Sequence, residues 1–158
     1  MIKVIGIGNR LMGDDAIGLK VLEKIQYDIK EIDEKIDIIF GETDFLYCLD
    51  NISNNDIVII LDSTYLGLDA GNITLFTFEE YIKYIDKPKG QHDINLIDMI
   101  IKNNKNIVGY IIGIEVFDIS FNLDISYHLE TKFDYICDNV LNKIKLILKM
   151  IELGEYNA

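Results

Sequence analysis

Four side chains stand where hydrolytic chemistry could be built: Asp14 and Asp15 after the run Gly6-Ile-Gly8-Asn9, Asp62 after an apolar stretch, and His92 beyond Pro88 and Gly90. Carboxylate oxygen and neutral imidazole nitrogen together suit a divalent ion of the nickel or zinc type, and three protein ligands leave room for water or substrate. Acids are plentiful in this chain and these residues lie far apart in sequence, so their types alone leave plainer readings open. Either member of the Asp14–Asp15 pair suits helix capping, because a carboxylate accepts bonds from free N–H groups and faces the positive end of the helix dipole. Residue types alone do not decide which of the two caps and which does chemistry. Asp62 is expected at an exposed sheet edge or beside a cation, since an unpaired buried carboxylate is costly. The other histidine, His128, reads as an ordinary surface residue.

The apolar pattern says which elements bring these residues together. Ile2 to Ile7, apolar except for Lys3 and Gly6, reads as a first, central strand that stops in a tight turn at Gly6-Ile-Gly8-Asn9. After a loop from Arg10 to Asp14, residues Ile17, Val21, Leu22 and Ile25 recur at helical spacing. The same grammar predicts a strand at Ile36–Gly41, a short helix at Phe45–Asn51 and a strand at Asp56–Asp62. Ile73–Phe78 alternates apolar residues with Thr74 and Thr77, as an edge or antiparallel strand does. A helical stretch with Ile94, Ile97, Ile100 and Ile101 follows His92, then a strand at Ile107–Ile114. From Leu129 to Ile151 the apolar spacing predicts one terminal amphipathic helix. Parallel strands joined by crossover helices imply an α/β chain: one domain over residues 1–158, a three-layer sandwich of the phosphorylase/hydrolase-like kind, with a mostly parallel twisted sheet and helices on both faces. In such a sheet ligands bind beyond the carboxyl ends of the strands, which is where Gly6 to Asp15 and Asp62 fall.

Composition narrows the partners. With 158 residues and 49% hydrophobic content the chain can bury one core. A formal charge of −12 opposes phosphate backbones and anionic lipid, so neither nucleic acid nor a membrane is expected as a partner. Met1 leads straight into a strand, without the apolar stretch of a secretory signal, and no run approaches the roughly 18 apolar residues that span a bilayer. A cytoplasmic location is expected, with Cys48 and Cys137 reduced and buried.

The run Gly6-Ile-Gly-Asn-Arg-Leu-Met-Gly-Asp-Asp-Ala-Ile-Gly18 closely resembles the N-terminal signature of hydrogenase maturation endopeptidases. Gly41-Glu-Thr43 falls where that family has a Gly-Gly-Thr-like turn, Leu61-Asp-Ser-Thr64 resembles its Asp-Ala segment, and Gln91-His92 its histidine loop. Leu66-Gly-Leu-Asp-Ala-Gly71 resembles its following glycine turn, and Gly113-Ile-Glu115 a late strand end. The resemblance implies an endopeptidase that removes a C-terminal extension from the hydrogenase large-subunit precursor once nickel has been inserted. On it, Asp15, Asp62 and His92 contact nickel and carry catalysis, the nickel arrives with the precursor, and no organic cofactor is needed. Gly8, Asn9, Gly41 and Thr43 are then expected to bind substrate. Three departures bear on precursor specificity: Phe40 where relatives tend to have an acid, Glu42 in place of a glycine, and Val116 where proline is frequent.

Other classes fit less well. A nucleotide-binding module would use Gly6 and Gly8 at a helix N-terminus, but Leu11 stands where G-x-G-x-x-G requires its third glycine, and the following acids would repel pyrophosphate. Ser63 with His92 and an aspartate could make a triad, yet the G-x-S-x-G elbow is missing. A nickel-sensing maturation chaperone without catalysis is a third reading.

Overall fold

The computed structural model describes residues 1–85, 96–103 and 105–155. Four apolar runs, β1 (Ile2–Ile7), β2 (Asp37–Glu42), β3 (Ile57–Thr64) and a late strand at Val108–Glu115, pair in parallel. The remaining strand, β4 (Ile73–Thr77), lies antiparallel against that late strand, β5, and closes one edge. The order across the sheet is β2-β1-β3-β5-β4, so β3 rather than β1 is the middle strand, although β1 is interior as its apolar run requires. The chain leaves β1 toward β2 and leaves β3 toward β5. The carboxyl ends of β1 and β3 therefore flank the point where the strand order reverses, the place where open α/β sheets bind ligands.

Period-two alternation distributes the core over both faces. Ile59 and Leu61 of β3 pack with helices α1 (Ile17–Ile32) and a long C-terminal helix at Phe133–Glu152, while Val58 and Ile60 face the other layer. That layer holds α2 (Phe45–Asp50), α3 (Phe78–Ile85) and α4 (Leu96–Lys102). The three-layer α/β arrangement inferred from the sequence is thus the observed one. Lys3, the charged interruption in β1, is buried but ion-paired with Asp37 at 2.6 Å. Cys48 and Cys137 are buried, unbridged and in different layers, and burial pushes both thiols up to about 11. Among the described residues no helix is long and apolar enough to cross a membrane.

The expected terminal helix is two. A single turn, α5 (Tyr127–Glu130), ends before the long helix α6 (Phe133–Glu152) begins. Ser126 starts the short one, its side chain accepting from the Leu129 N–H, and Leu129 is fully buried, which is why the apolar spacing runs unbroken through the interruption. Likewise Asp14 and Asp15 do not cap α1; they lie in a 3-10 turn, Gly13–Ala16, that precedes it.

Two glycines let this chain turn where it must. Gly8 has φ +137°, and a Cβ there would lie 2.0 Å from the Asp15 carbonyl oxygen. At Gly18, in the first turn of α1, a Cβ would lie 2.5 Å from the Leu61 carbonyl oxygen. The start of α1 is therefore pressed against the end of β3, bringing the Asp15 loop to Asp62. Gly18→Ala should push the two apart in spite of alanine's better helix propensity, lowering stability by roughly 2 kcal/mol and the melting temperature by about 6 °C in thermal denaturation.

Candidate functional site

Asp15 is held at both oxygens. Its Oδ2 accepts the Asn9 N–H at 2.7 Å, and its Oδ1 accepts the Ser63 hydroxyl at 2.7 Å. Asn9 also tightens the turn by accepting the Leu11 N–H on its side-chain oxygen at 2.9 Å, the geometry of an Asx turn. The Asn9 N–H, which a phosphate at this helix start would need, is thus already bonded to a carboxylate. That arrangement disfavours the nucleotide-binding reading of Gly6 and Gly8.

Asp62 does not lie at a sheet edge, and no cation among the described residues is paired with it. It is half-buried near the carboxyl end of the middle strand, where its Oδ1 accepts the Ser63 N–H at 2.7 Å, and no donor among the described residues bonds its Oδ2. Burial, and then the nearby charge of Asp15, push its carboxyl up to about 7. Strand alternation turns it toward the layer of α3 and α4, where burial first, and then the charge of Asp62, raise the Tyr81 phenol. A buried carboxyl whose proton is favoured in part by a neighbouring acid is a place where a cation would be welcome, because it offsets that repulsion.

His92 lies outside the described residues; in sequence it falls between α3 and α4. Among the described residues no three of histidine, cysteine, aspartate or glutamate gather into a ligand set of their own. Asp15 and Asp62 alone are brought together here, and their donor chemistry fits a hard or borderline divalent ion completed by other ligands. Gly8, Asn9, Gly41 and Thr43 share the same rim. The Gly8 N–H donates to the Glu42 carbonyl at 3.0 Å, and Thr43 is exposed. The β1–β2 register slips beside Gly41, where a Cβ would lie 2.2 Å from Cys48 Sγ.

The departures also find physical places. Glu42 adopts φ +51°, the left-handed region that favours glycine, and its carboxylate accepts from Arg10 Nε at 2.7 Å, while Arg10 also pairs with Glu23. Phe40 packs against the α1–α6 layer, and Val116 is buried there. His128, expected at the surface, is exposed and stacks on Phe117 with centroids 3.5 Å apart.

Two acids have roles that the linear sequence did not disclose. Asp14 is fully buried, and its carboxylate takes the N–H groups of Phe117 and Asp118 at 2.9 Å, that of Ser126 at 2.6 Å and the Ser126 hydroxyl at 2.8 Å. It fastens the loop after β5 to the loop that carries Asp15. Glu115, buried at the end of β5, accepts from Thr64 Oγ1 and from the N–H groups of Leu66, Gly67 and Leu68, fixing the turn that follows β3. Glu115, like Asp62, is marked in the sequence as a charge at the end of an apolar strand and by its place in a family-like segment, but neither signal discloses which donors it takes.

Two expectations follow for the metal-free protein. The folded form holds the Asp62 proton up to about pH 7, whereas the unfolded chain releases it near pH ~4. The folded state binds more protons in that window, so stability falls as pH rises through it and the loss is complete above it. Asp62→Asn keeps an acceptor and abolishes the charge, so its melting temperature should match wild type at acid pH and exceed it by a few degrees, roughly 1 kcal/mol, in mildly alkaline buffer. Asp14→Ala strands four donors and should cost roughly 3 kcal/mol, about 10 °C in melting temperature, with new proteolytic cleavage between residues 117 and 126.

Comparison with known proteins agrees with the resemblance read from the motifs. A model of the hydrogenase maturation protease family, HycI, matches residues 19–143, a span that takes in Asp62 and His92 and begins just past Asp15. The chain is similar to the hydrogenase expression/formation protein HupD of Rhizobium leguminosarum bv. viciae, 28% identical over 88 residues that make up 56% of this chain and 43% of that protein. HupD of Thiocapsa roseopersicina is 25% identical over 88 residues, 39% of its length, so the alignments span less than half of these curated relatives. In structure it is similar to the hydrogenase maturating endopeptidase HybD from E. coli, with TM-score 0.72, 20% identity and 91% of each chain covered. HybD from Thermococcus kodakarensis, a [NiFe] hydrogenase maturation protease, shares the fold at TM-score 0.70 and 18% identity over 90% of this chain and 97% of its own. By the family match, which extends over most of its length, this chain belongs to the hydrogenase maturation protease family.

Proposed function

We propose that the chain is an endopeptidase that removes the C-terminal extension of a nickel-loaded hydrogenase large-subunit precursor, acting in the cytoplasm. Asp15, Asp62 and His92 contact the nickel that the precursor carries. The observation that supports this reading most directly is the pairing of Asp15 with Asp62 at the strand-order reversal, with Asp62 raised to about 7 by burial and by its neighbour. For His92 the support is the motif resemblance and its place within the matched family span.

Two carboxylates form an incomplete shell, and an incomplete shell binds an ion weakly until other ligands complete it. The site can thus remain open until a metal-bearing substrate docks, and cleavage then reports a finished metal centre. A divalent ion held there by Asp15, Asp62 and His92 would position the extension and lower the pKa of a bound water. This chain's part is to orient: Asn9 and Ser63 fix the plane of the Asp15 carboxylate, and Asp62 gives up its proton when positive charge approaches. Gly8, Asn9, Gly41 and Thr43 line the rim along which the extension would run.

Incubating the purified protein with the precursor, nickel-loaded or nickel-free, while following the mass of the precursor's C-terminus tests this. The extension should be lost from the nickel-loaded form alone, and Asp15→Asn, Asp62→Asn and His92→Ala should each slow the loss by at least about a hundredfold. An undiminished rate in Asp62→Asn would exclude a ligand role for that residue. Nickel-dependent docking with no cleavage would favour the chaperone, and saturable dinucleotide binding without a metal response the nucleotide module.

A further inference from the structure

Along β3, Asp62 and Ser63 point to opposite faces of the sheet, because successive side chains of a strand alternate. Asp15 reaches the site on the Ser63 side, from the loop between β1 and α1. Ser63 nevertheless bonds both acids: its N–H donates to Asp62 Oδ1 at 2.7 Å, and its hydroxyl donates to Asp15 Oδ1 at 2.7 Å. The other bond to Asp15 comes from Asn9, a member of Asp15's own loop, at 2.7 Å. Among the described residues, then, the serine hydroxyl is the bond that ties the Asp15 carboxylate to the strand carrying Asp62.

A carboxylate oxygen has two lone pairs, so Asp15 Oδ1 can accept from the hydroxyl and still face an ion. Without that bond the carboxylate keeps one donor, the Asn9 N–H at its other oxygen, and its plane is free to turn. Outer partners of this sort set the orientation of metal ligands and commonly alter affinity by about ten- to a hundredfold. We propose that Ser63 is a positioning residue that sets Asp15 against Asp62, and thereby the preference of the site for a nickel-bearing protein substrate over the same protein without nickel. This rests on the function proposed above and adds to it the residue that governs metal discrimination.

The test measures binding of wild type, Ser63→Ala, Ser63→Thr and Asp62→Asn to the large-subunit precursor with and without nickel, by rapid mixing before cleavage proceeds. The quantity read is the ratio of the two dissociation constants. Ser63→Ala should lower the preference for the nickel-loaded form about tenfold while leaving affinity for the nickel-free form unchanged. A hydroxyl that served only to stabilise the fold would not produce that split. Ser63→Thr keeps the donor and should keep the preference; Asp62→Asn should abolish it. A Ser63→Ala preference equal to wild type overturns the proposal and leaves the function reading in place. A wild type that does not discriminate overturns that reading, and the role of Ser63 with it. Should Ser63→Ala bind neither form, Ser63→Thr decides: a retained preference supports the proposal and a lost one overturns it.

Discussion

Two carboxylates beside the end of a buried strand repel when both are charged, and water is only partly available to screen them. Burial first, and that repulsion second, raise the Asp62 carboxyl, and together they set the terms for the structure around it. Asp15 can be kept near Asp62 only by fixing its loop from several sides. Gly18 brings the start of α1 onto Leu61, Gly8 lets the chain turn beneath Asp15, and Asn9 and Ser63 bind the two oxygens of the carboxylate. Beneath the site, Asp14 and Glu115 use buried carboxylates to bind backbone N–H groups of flanking loops. The charges of this rim thus divide into a pair held in tension and a pair fully satisfied.

The layers were legible because their signals are local. Continuous apolar runs mark strands covered on both faces, and alternation in Ile73–Thr77 marks the antiparallel edge. Asp62 was legible too, as a charge at the end of such a run. What could not be read depends on partners far along the chain. Asp14 looks like a helix cap because Asp beside a helix start usually is one, and the donors that claim it lie more than a hundred residues on. Ser63 looked like a poor nucleophile; that its proton goes to Asp15 depends on how α1 meets β3. The interruption between α5 and α6 is invisible to periodicity because Leu129 remains buried across it.

The departures from the family pattern concentrate on the β2 side of the rim. Glu42 accepts a left-handed backbone that glycine would adopt without strain, and its carboxylate holds Arg10 over the loop that leads to Asp15. An ion pair of this kind, half-exposed, contributes little to stability. Its effect is on local charge: it sets a guanidinium between two acids at the start of the loop that leads to Asp15. Phe40 has turned inward to pack, so the acid that relatives tend to carry at this place is replaced by core.

The clasp around Asp14 has a consequence for the order in which the molecule assembles. Its acceptor lies near the beginning of the chain, and its donors span Phe117 to Ser126. Closing a loop of that length costs entropy that is recovered only when the later segment has arrived. During synthesis β1, α1, β2 and β3 can come together early, with Asn9 and Ser63 already holding Asp15, but Asp14 gains its donors only when the region after β5 has left the ribosome. Short-range contacts build the scaffold first, and the longest-range ones complete the rim last. The protein proposed to check another chain therefore fastens one side of its own site with residues made long after the acid they hold.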